Sequence, residues 1–458
     1  MLSVLVITNC IRSNKCRGEE DIMSMVKPRT LTGFMELLPK EQIEFEKILS
    51  VLRHNYEKYG FYPLDTPVLE STAVLLAKAG GETEKQIYRF KRGDTDLTMR
   101  FDLTVPLAKY VAINYNELEF PFKRYQIGKV YRGERAQKGR YREFYQADID
   151  IIGDGELSVM NDAEIPAIIA DIFKGLGING FKIRINNRKI LTGFFEMHQL
   201  SDKVEDILRV IDKLEKIGKE KVVEELSEFD VDNTKANTIL DFVGIVGTNN
   251  EKLKKAMEYC GKNDTYDNGL EELKLVVDAI EGFGVSEDNF MIDFSIARGL
   301  DYYTGTVYET TIEDHPEFGS VCSGGRYDNL AGFYTEQKLP GVGISIGVTR
   351  LYTVLKETGF FNMEKTSPID VLIIPMTDNL DYCIKVMAKL REAGIKTQTY
   401  YENKKFKKKM NYANKINVPY VIIVGDDEIS QNKIALKDFI SGEQNVCTID
   451  EAINVILK

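Results

Sequence analysis

Concentrated positive charge marks one segment of an otherwise acidic chain. RGERAQKGRYR, residues 132–142, carries four arginines and one lysine in eleven residues, although the formal net charge of the chain is −11. The flanking runs FKRYQIGKVY and EFYQADIDII alternate as strands do, which predicts a β-hairpin. An isolated charge run usually lies on a solvated tip, so the composition of the strands decides the interpretation.

The second strand of this hairpin separates polar from apolar side chains, because alternate residues of a strand share a face. The polar face carries Arg142, Phe144, Gln146, Asp148 and Asp150. Arg132 leaves the first strand just before the turn. Two arginines, an amide and a carboxylate that converge across two strands favour a ligand-binding surface; a solvated edge strand is the alternative.

Two further segments place charged groups beside predicted turns. Asp102 in TMRFDLTVPLAKY follows a strand and precedes a helix, which predicts a helix N-cap whose second carboxylate oxygen stays available to an ammonium group. Arg298 in ARGLDYYTGTVYE lies between strands beside Tyr302 and Tyr303, and Gly299 permits a sharp turn. This arrangement favours a bound anion over an exposed loop arginine.

Glycines recur in two segments near the C-terminal end of this region. SGGRYDNL contains a glycine pair that permits close backbone approach but is also common in turns. GVGISIGVTRL places Gly341, Gly343, Ser345 and Gly347 on one strand face, which predicts either a floor without side chains or tight packing against a neighbouring backbone. Arg350 follows in a helix and could stack on an aromatic ring. Neither GxxxxGK[ST] nor GxGxxG at a strand-to-helix turn occurs, so phosphates would be held without a P-loop.

Composition narrows the class of protein. The 458 residues allow two or three domains, and 43% hydrophobic with 29% charged residues is typical of a soluble globular protein. No apolar run approaches the roughly 20 residues of a membrane span. Six cysteines without a CxxC pair predict neither a disulfide framework nor a zinc site and favour the cytoplasm. Three histidines leave little material for histidine-based catalysis.

The secondary-structure patterns divide the chain into four parts. Residues 1–25 form an N-terminal extension without a secretory signal, and Met23 or Met25 is an alternative start. Residues 41–59 place Phe45, Ile48, Leu49, Leu52 and Tyr56 on one helical face. Residues 202–281 have helical spacing and indicate an insertion, bounded at 190–283, within a sheet-rich body of residues 26–363. Residues 366–458 alternate strand with helix, which predicts an α/β domain with a mostly parallel sheet.

These segments together resemble the histidyl-tRNA synthetase family of class II aminoacyl-tRNA synthetases. GFYPLDTPVLE, KVYRGERAQKGRYREFYQADIDIIG and GVGISIGVTRL resemble the three class II motifs, while ARGLDYYTG and SGGRYDNL resemble segments of the histidyl branch. The resemblance runs from Lys27 to the C-terminus. It implies an α+β fold, with an antiparallel sheet flanked by helices, a helical insertion and a C-terminal α/β anticodon-binding domain. GFMELLP, residues 33–39, departs from the family pattern at the cap of the first helix.

The resemblance also implies a reaction. Histidine and ATP would form histidyl-adenylate and pyrophosphate with Mg²⁺ on the β- and γ-phosphates, and histidine would then pass to tRNA(His). It implies a cytoplasmic homodimer without membrane association, and no residue is assigned to the metal. Two rival functions are a non-catalytic regulatory paralogue of ATP phosphoribosyltransferase and a binding module for uncharged tRNA. The intact motifs and C-terminal domain favour the ligase over both.

Roles of individual residues follow from the same resemblance. Arg132 and Arg298 would contact the α-phosphate from opposite sides, as the catalytic residues. Glu134 would meet the adenine amino group, and Arg350 would stack on adenine. The histidine pocket would comprise Asp102, Leu103, Thr104, Gln146, Asp150, Tyr302 and Tyr303; the ATP site Arg132, Glu134, Arg142, Arg298 and Arg350; and the contact with the tRNA acceptor end Arg135, Gln137 and Lys138.

Overall fold

The computed structural model describes residues 26–77, 81–135, 139–211, 213–296, 303–361 and 366–458. The predicted extension, residues 1–25, therefore lies outside the described residues. The strands are β1 Tyr62–Pro63, β2 Leu69–Ser71, β3 Arg89–Arg92, β4 Thr95–Met99, β5 Phe122–Tyr131, β6 Glu143–Ile152, β7 Phe181–Asn187, β8 Phe290–Ile292, β9 Thr306–Ile312, β10 Cys322–Tyr327, β11 Gly341–Gly347, β12 Val371–Pro375, β13 Thr397–Thr399, β14 Tyr420–Val424, β15 Ile434–Asp438 and β16 Gln444–Cys447.

The helices alternate with these strands and dominate the middle of the chain. They are α1 Pro39–Lys58, α2 Thr72–Leu75, α3 Gly81–Gln86, α4 Thr104–Asn114, α5 Met160–Gly175, α6 Arg188–Met197, α7 Val204–Ile211, α8 Leu214–Ile217, α9 Lys219–Glu228, α10 Asn233–Val243, α11 Asn249–Met257, α12 Asp264–Gly282, α13 Val348–Glu357, α14 Asp381–Glu392, α15 Phe406–Lys415, α16 Asp426–Ser430 and α17 Ile449–Ile456. Among the described helices, none has both the length and the apolar character of a membrane span.

An eight-stranded sheet forms the body of the molecule, in the order β1-β5-β6-β11-β10-β9-β7-β8. The predicted hairpin is present as the antiparallel pair β5 and β6, in which Arg124 lies opposite Asp150. The apolar face of β6 packs into the main core through Ala147, Ile149 and Ile151. The opposite face is also buried, so its polar side chains lie inside the molecule rather than in solvent.

Helix α1 covers the apolar face of this sheet. The five predicted apolar residues of the helix are all buried, which confirms the periodicity. The Tyr56 hydroxyl donates a hydrogen bond of 3.2 Å to the backbone oxygen of Ala147 on β6. At the start of α1, where the sequence departs from the family pattern, the Glu41 carboxylate accepts from the Leu38 N–H at 2.7 Å. A side chain of the helix itself therefore satisfies a backbone N–H at its N-terminus and stabilises the first turn.

Helices α6 to α12 fill the segment predicted as a helical insertion. Residue 190, the predicted start of the insertion, lies within α6. Aromatic packing holds these helices together: the rings of Phe194 and Phe242 stack at 4.2 Å, and Tyr259 meets each of them edge-on. Such contacts stabilise a helical cluster beyond the burial of apolar area alone.

The C-terminal sheet has the order β13-β12-β14-β15-β16. β12 pairs in parallel with β13 and β14, whereas β14–β15 and β15–β16 are antiparallel. The prediction of a mostly parallel sheet is therefore wrong. The connection from β14 to β15 contains only the short helix α16, and a parallel crossover needs a dozen or more residues.

A buried ion pair ties the central strands to α5. Arg326 Nη2 lies 2.6 Å from Asp162 Oδ1, and Arg326 also donates to the backbone oxygens of Leu157 and Ser158. Thr306 donates a further hydrogen bond to the same carboxylate. The glycine pair and the arginine of SGGRYDNL thus lie within strand β10, which ends at Tyr327, and the arginine has a structural contact.

Replacing Asp162 by Ala should destabilise the body by about 3–5 kcal/mol, because Arg326 would remain buried without its counter-charge. Arg209→Ala is the control, since its ion pairs with Glu205 and Asp206 are exposed and should be worth under about 1 kcal/mol. Urea unfolding, followed by far-ultraviolet circular dichroism because the chain contains no tryptophan, measures the stability of both variants. Equal midpoints for the two variants would contradict the structural role of the buried pair.

Candidate active site

A cavity of about 410 Å³ opens over the polar face of β6, β10 and β11. Side chains from the hairpin, from the start of α4 and from α13 converge on it. Of the residues predicted to bind ligands, those that line the cavity are Asp102, Thr104, Arg132, Glu134, Gln146, Tyr303 and Arg350. Segments separated by more than 200 residues in the sequence therefore meet at one site.

Asp102 caps the N-terminus of α4. Its Oδ1 accepts a hydrogen bond of 3.1 Å from the Val105 N–H, as expected of a capping side chain, although the N-cap residue of α4 is Leu103, one position later than predicted. Its Oδ2 is buried and has no hydrogen-bond partner among the described residues. Burial raises the pKa of Asp102 to about 6, although the Val105 N–H and the nearby Arg132 oppose this shift. An acceptor oxygen is thus left for a ligand.

Gln146 provides a second acceptor in the same cavity. Its Nε2 donates a 2.6 Å hydrogen bond to Ser345 Oγ on the neighbouring strand β11. Its Oε1 is buried, and no described residue donates a hydrogen bond to it. Two acceptor oxygens that lack donors in one cavity suit a ligand with several N–H groups, such as an ammonium ion.

A charged layer lies beneath these acceptors. Arg124 Nη2 is 2.6 Å from Asp150 Oδ2, and both side chains are almost fully buried. The Tyr327 hydroxyl donates to Asp150 Oδ1 at 3.0 Å. Burial raises the pKa of Asp150, and Arg124 opposes the shift. Asp150 therefore lies below the cavity wall. Arg124 was not among the predicted site residues, but its position opposite Asp150 in the hairpin could have identified it.

Two arginines on the other side of the cavity are held in place. Arg132 donates from Nε to the Phe101 backbone oxygen at 3.0 Å, and its guanidinium lies 5.2 Å from the Phe144 ring centroid. Arg350 Nη1 donates to the Ser320 backbone oxygen at 2.6 Å. Fixed guanidinium groups of this kind are suited to phosphate or carboxylate recognition.

Arg142, predicted to belong to the ATP site, contacts the loop beside the cavity. Its Nε donates to the backbone oxygen of Glu134 at 3.2 Å, so it supports the loop that carries Glu134. Its aliphatic chain packs against Gly33, whose φ is +86° and whose missing Cβ leaves room for it. Arg142 therefore does not line the cavity.

The remaining predicted residues fall into three groups. Leu103 is fully buried, and its backbone oxygen accepts from Arg124 at 3.3 Å. Arg135 is exposed on the connection between β5 and β6. Gln137, Lys138, Arg298 and Tyr302 lie outside the described residues.

The glycines of β11 accommodate side chains from neighbouring strands. A Cβ on Gly341 would meet the Tyr327 ring, and one on Gly343 would meet the Asp150 carboxylate. A Cβ on Gly343 would also meet the Ile149 backbone oxygen. The predicted packing against a neighbouring backbone therefore holds at Gly343, whereas at Gly341 the neighbour is a side chain. Gly347 lines the cavity, so the side-chain-free floor is limited to that end of the strand. Within the part of the chain that is described, no three His, Cys, Asp or Glu side chains cluster as a metal site.

The sheet, the hairpin and the cavity are those of a class II aminoacyl-tRNA synthetase. The sequence profile of histidyl-tRNA synthetase matches residues 33–351, and that of the anticodon-binding domain matches residues 370–458. The chain belongs to the histidyl-tRNA synthetase family.

Individual relatives agree with this assignment. The histidine–tRNA ligase of Clostridium tetani is 54% identical over 433 residues, which are 94% of this chain and 98% of that protein. The ligase of Finegoldia magna is 48% identical, with 94% and 99% covered. The crystal structure of histidyl-tRNA synthetase from Nostoc sp. superposes with a TM-score of 0.88 at 40% identity and covers 94% of this chain and 99% of that one.

Gly343→Ala should destabilise the protein by about 1–3 kcal/mol, because the added methyl group would overlap the Ile149 backbone oxygen and displace the Asp150 carboxylate from its pairing with Arg124. Gly347→Ala is the matched control on the same strand, since its Cβ would lie 3.6 Å from the Cβ of Arg350, an ordinary contact. Thermal unfolding compares the two variants. A larger loss at Gly347 would contradict the packing described.

Proposed function

We propose that the protein is a histidine–tRNA ligase that forms histidyl-adenylate from histidine and ATP and then transfers histidine to tRNA(His). One observation carries the proposal: the acceptor oxygens of Asp102 and Gln146 share a 410 Å³ cavity with the guanidinium groups of Arg132 and Arg350. An ammonium group fits the acceptors, and a carboxylate and phosphates fit the arginines. An amino acid beside a nucleotide presents these groups together.

The amino-acid end is defined by the acceptors. Asp102 Oδ2 and Gln146 Oε1 would accept hydrogen bonds from the histidine ammonium group, with Thr104 and Tyr303 completing the wall. Asp150 contributes from beneath through Arg124 and Tyr327, which it holds in place. Tyr302 remains a predicted member of this pocket.

The nucleotide end is defined by the arginines. Arg132 would contact the histidine carboxylate and the α-phosphate, and Arg350 would stack on adenine. Glu134 would accept from the adenine amino group, while Arg142 holds the Glu134 backbone in place. Arg298 remains a predicted contact on the opposite side of the α-phosphate.

The chemistry needs positive charge more than a base. The histidine carboxylate is itself the nucleophile, so its attack on the α-phosphorus requires no proton transfer from the substrate. Negative charge then accumulates on the phosphate and would be stabilised by fixed arginines such as Arg132. The pyrophosphate leaves as the bond to the α-phosphorus breaks.

A carboxylate of the cavity wall fits a nucleotide-bound magnesium ion. Glu309 lines the cavity and is not assigned to another ligand group, and Mg²⁺ in such sites needs one or two protein carboxylates besides phosphates and water. Glu309 also lies 3.7 Å from Arg184, which keeps it in place. When bound, Mg²⁺ would neutralise charge on the β- and γ-phosphates.

Contacts with tRNA involve two basic regions. Lys404, Lys405, Lys407 and Lys408 are exposed at the start of α15 in the C-terminal domain. Arg135 is exposed beside the cavity and would face the acceptor end, together with the predicted contacts Gln137 and Lys138. Local basic surface supports nucleic-acid binding even in an acidic protein.

The proposal includes a cytoplasmic homodimer. Tyr62 on the edge strand β1 and Leu69 on β2 expose large apolar side chains, at 69% and 43% of their maximal area. Exposed apolar side chains beside a sheet edge suit an interface with a second copy. Both residues belong to GFYPLDTPVLE, which resembles the first class II motif, and that motif is associated with dimerisation in the family.

Arg132→Ala should lower histidine-dependent ATP–pyrophosphate exchange by about 100- to 1,000-fold, because a preorganised donor to the developing charge is lost. Arg53→Ala, an exposed arginine on α1, is the control and should exchange like the parent. The same assay with the other amino acids tests specificity. A parent that prefers another amino acid would contradict the proposed substrate.

The double variant Lys407→Glu and Lys408→Glu should weaken tRNA charging while leaving pyrophosphate exchange intact, because it removes phosphate contacts far from the cavity. Each lost contact should reduce the slope of log affinity against log salt by about one. Lys385→Glu with Lys389→Glu makes the same charge change on α14, where both side chains are exposed. Equal losses in the two double variants would argue against a specific role for α15.

A further inference from the structure

The orientation of the Gln146 amide determines what the cavity offers a ligand. As the structure has it, Nε2 points to Ser345 Oγ at 2.6 Å and Oε1 is left for the ligand. Rotating the amide by half a turn would exchange the two ends. The cavity would then present an N–H donor to an ammonium group, which also only donates. Selective binding of an ammonium therefore requires that something fix the amide.

Ser345 can fix the amide only if its own proton is directed elsewhere. A hydroxyl group can donate to Gln146 Oε1 or accept from Gln146 Nε2, so by itself it allows both orientations. When the hydroxyl donates to a different acceptor, its lone pairs remain and it can only accept from the amide. The neighbour that takes the Ser345 proton therefore decides the orientation of Gln146.

Asp148 lies where such a neighbour is needed. It stands opposite Ser345 in the register of β6 and β11, two residues from Gln146 on the same face. Its side chain is 2% exposed, and Oδ1 has no hydrogen-bond partner among the residues described. The Ser345 hydroxyl favours the ionised form of this carboxylate, as a hydrogen-bond donor does.

We propose that Asp148 and Ser345 are positioning residues for histidine binding: the Asp148 carboxylate accepts the Ser345 hydroxyl proton, Ser345 accepts from Gln146 Nε2, and Gln146 Oε1 is thereby directed to the substrate ammonium. An ionised carboxylate only accepts hydrogen bonds, so it sets one direction for the whole relay. This inference rests on the proposed function, because it assigns the ammonium of histidine as the ligand.

The relay is tested by replacing the acceptor with a donor. Asp148→Asn is nearly isosteric, but its amide can donate to Ser345 and release the hydroxyl to donate to Gln146 Oε1. Ser345→Ala removes the relay without a change of charge. Burial raises the pKa of Asp148 to about 7, while Arg124 and Ser345 oppose this, so kinetics are best measured at pH 8, where the carboxylate is ionised.

Two competitive ligands distinguish a role in orienting Gln146 from a general disruption of the pocket. Histidinol keeps the ammonium and the imidazole, whereas 3-(imidazol-4-yl)propanoate lacks the ammonium. In both variants we expect the KM for histidine and the Ki of histidinol to rise about 10- to 100-fold, as for a lost charge-assisted hydrogen bond. The Ki of the ammonium-free compound and the KM for ATP should stay within about twofold, since neither ligand uses Gln146 Oε1.

Each other result overturns the proposal. Equal weakening of both inhibitors would show that Asp148 only supports the fold of the pocket, and unchanged inhibition by histidinol would show that the relay does not orient Gln146. Ser345→Ala provides the same comparison if Asp148→Asn fails to fold. Absence of histidine-dependent exchange in the parent protein would refute the proposed function. Normal exchange in the parent, with equal weakening of both inhibitors in the variants, would refute the relay alone.

Discussion

The arrangement of the cavity depends on the buried ion pair between Arg124 and Asp150. Arg124 belongs to β5 and Asp150 to β6, and the pair also receives Tyr327 from β10 and contacts the Leu103 oxygen before α4. One interaction therefore sets three strands and the helix start that carries Asp102. Two buried charges are stable only when both are paired, and removing one partner typically costs about 3–5 kcal/mol. The glycine at position 343 is needed because a side chain there would occupy the place of Asp150.

Above this pair the protein keeps acceptors without donors. Asp102 Oδ2, Gln146 Oε1 and Asp148 Oδ1 are all buried and lack hydrogen-bond partners within the described ranges. Each such group costs about 1–3 kcal/mol in the unliganded protein. Burial accordingly raises the pKa of Asp102 to about 6 and that of Asp148 to about 7. A cationic ligand would donate hydrogen bonds at the first two positions. Part of its affinity would therefore come from relieving the cost of burying these acceptors without donors.

Local patterns predicted the fold and much of the site. The alternation of β6, the apolar face of α1 and the hydrogen bond from Asp102 to the first turn of α4 each follow from rules that act within about ten residues, and the structure contains all three. The mixed C-terminal sheet was missed because strand direction depends on how β15 returns beside β14. The sequence places Arg142 on the same strand face as Gln146, but it could not show that the Arg142 side chain donates to the Glu134 backbone. Long-range packing of this kind leaves no periodic signal in the sequence.

The two ends of the site are set by one strand. Phe144, which packs against the Arg132 guanidinium, and Gln146 are two residues apart on β6, about 7 Å along a strand. β6 lies between β5 and β11 inside the eight-stranded sheet, so this spacing cannot change without breaking the ladder. Attack of a carboxylate on a phosphate requires the reacting atoms to be held about 3 Å apart and aligned. A regulatory paralogue could keep the same fold without this requirement. The side chains that β6 holds at a fixed distance, more than the fold that contains this strand, therefore distinguish a ligase from such a paralogue.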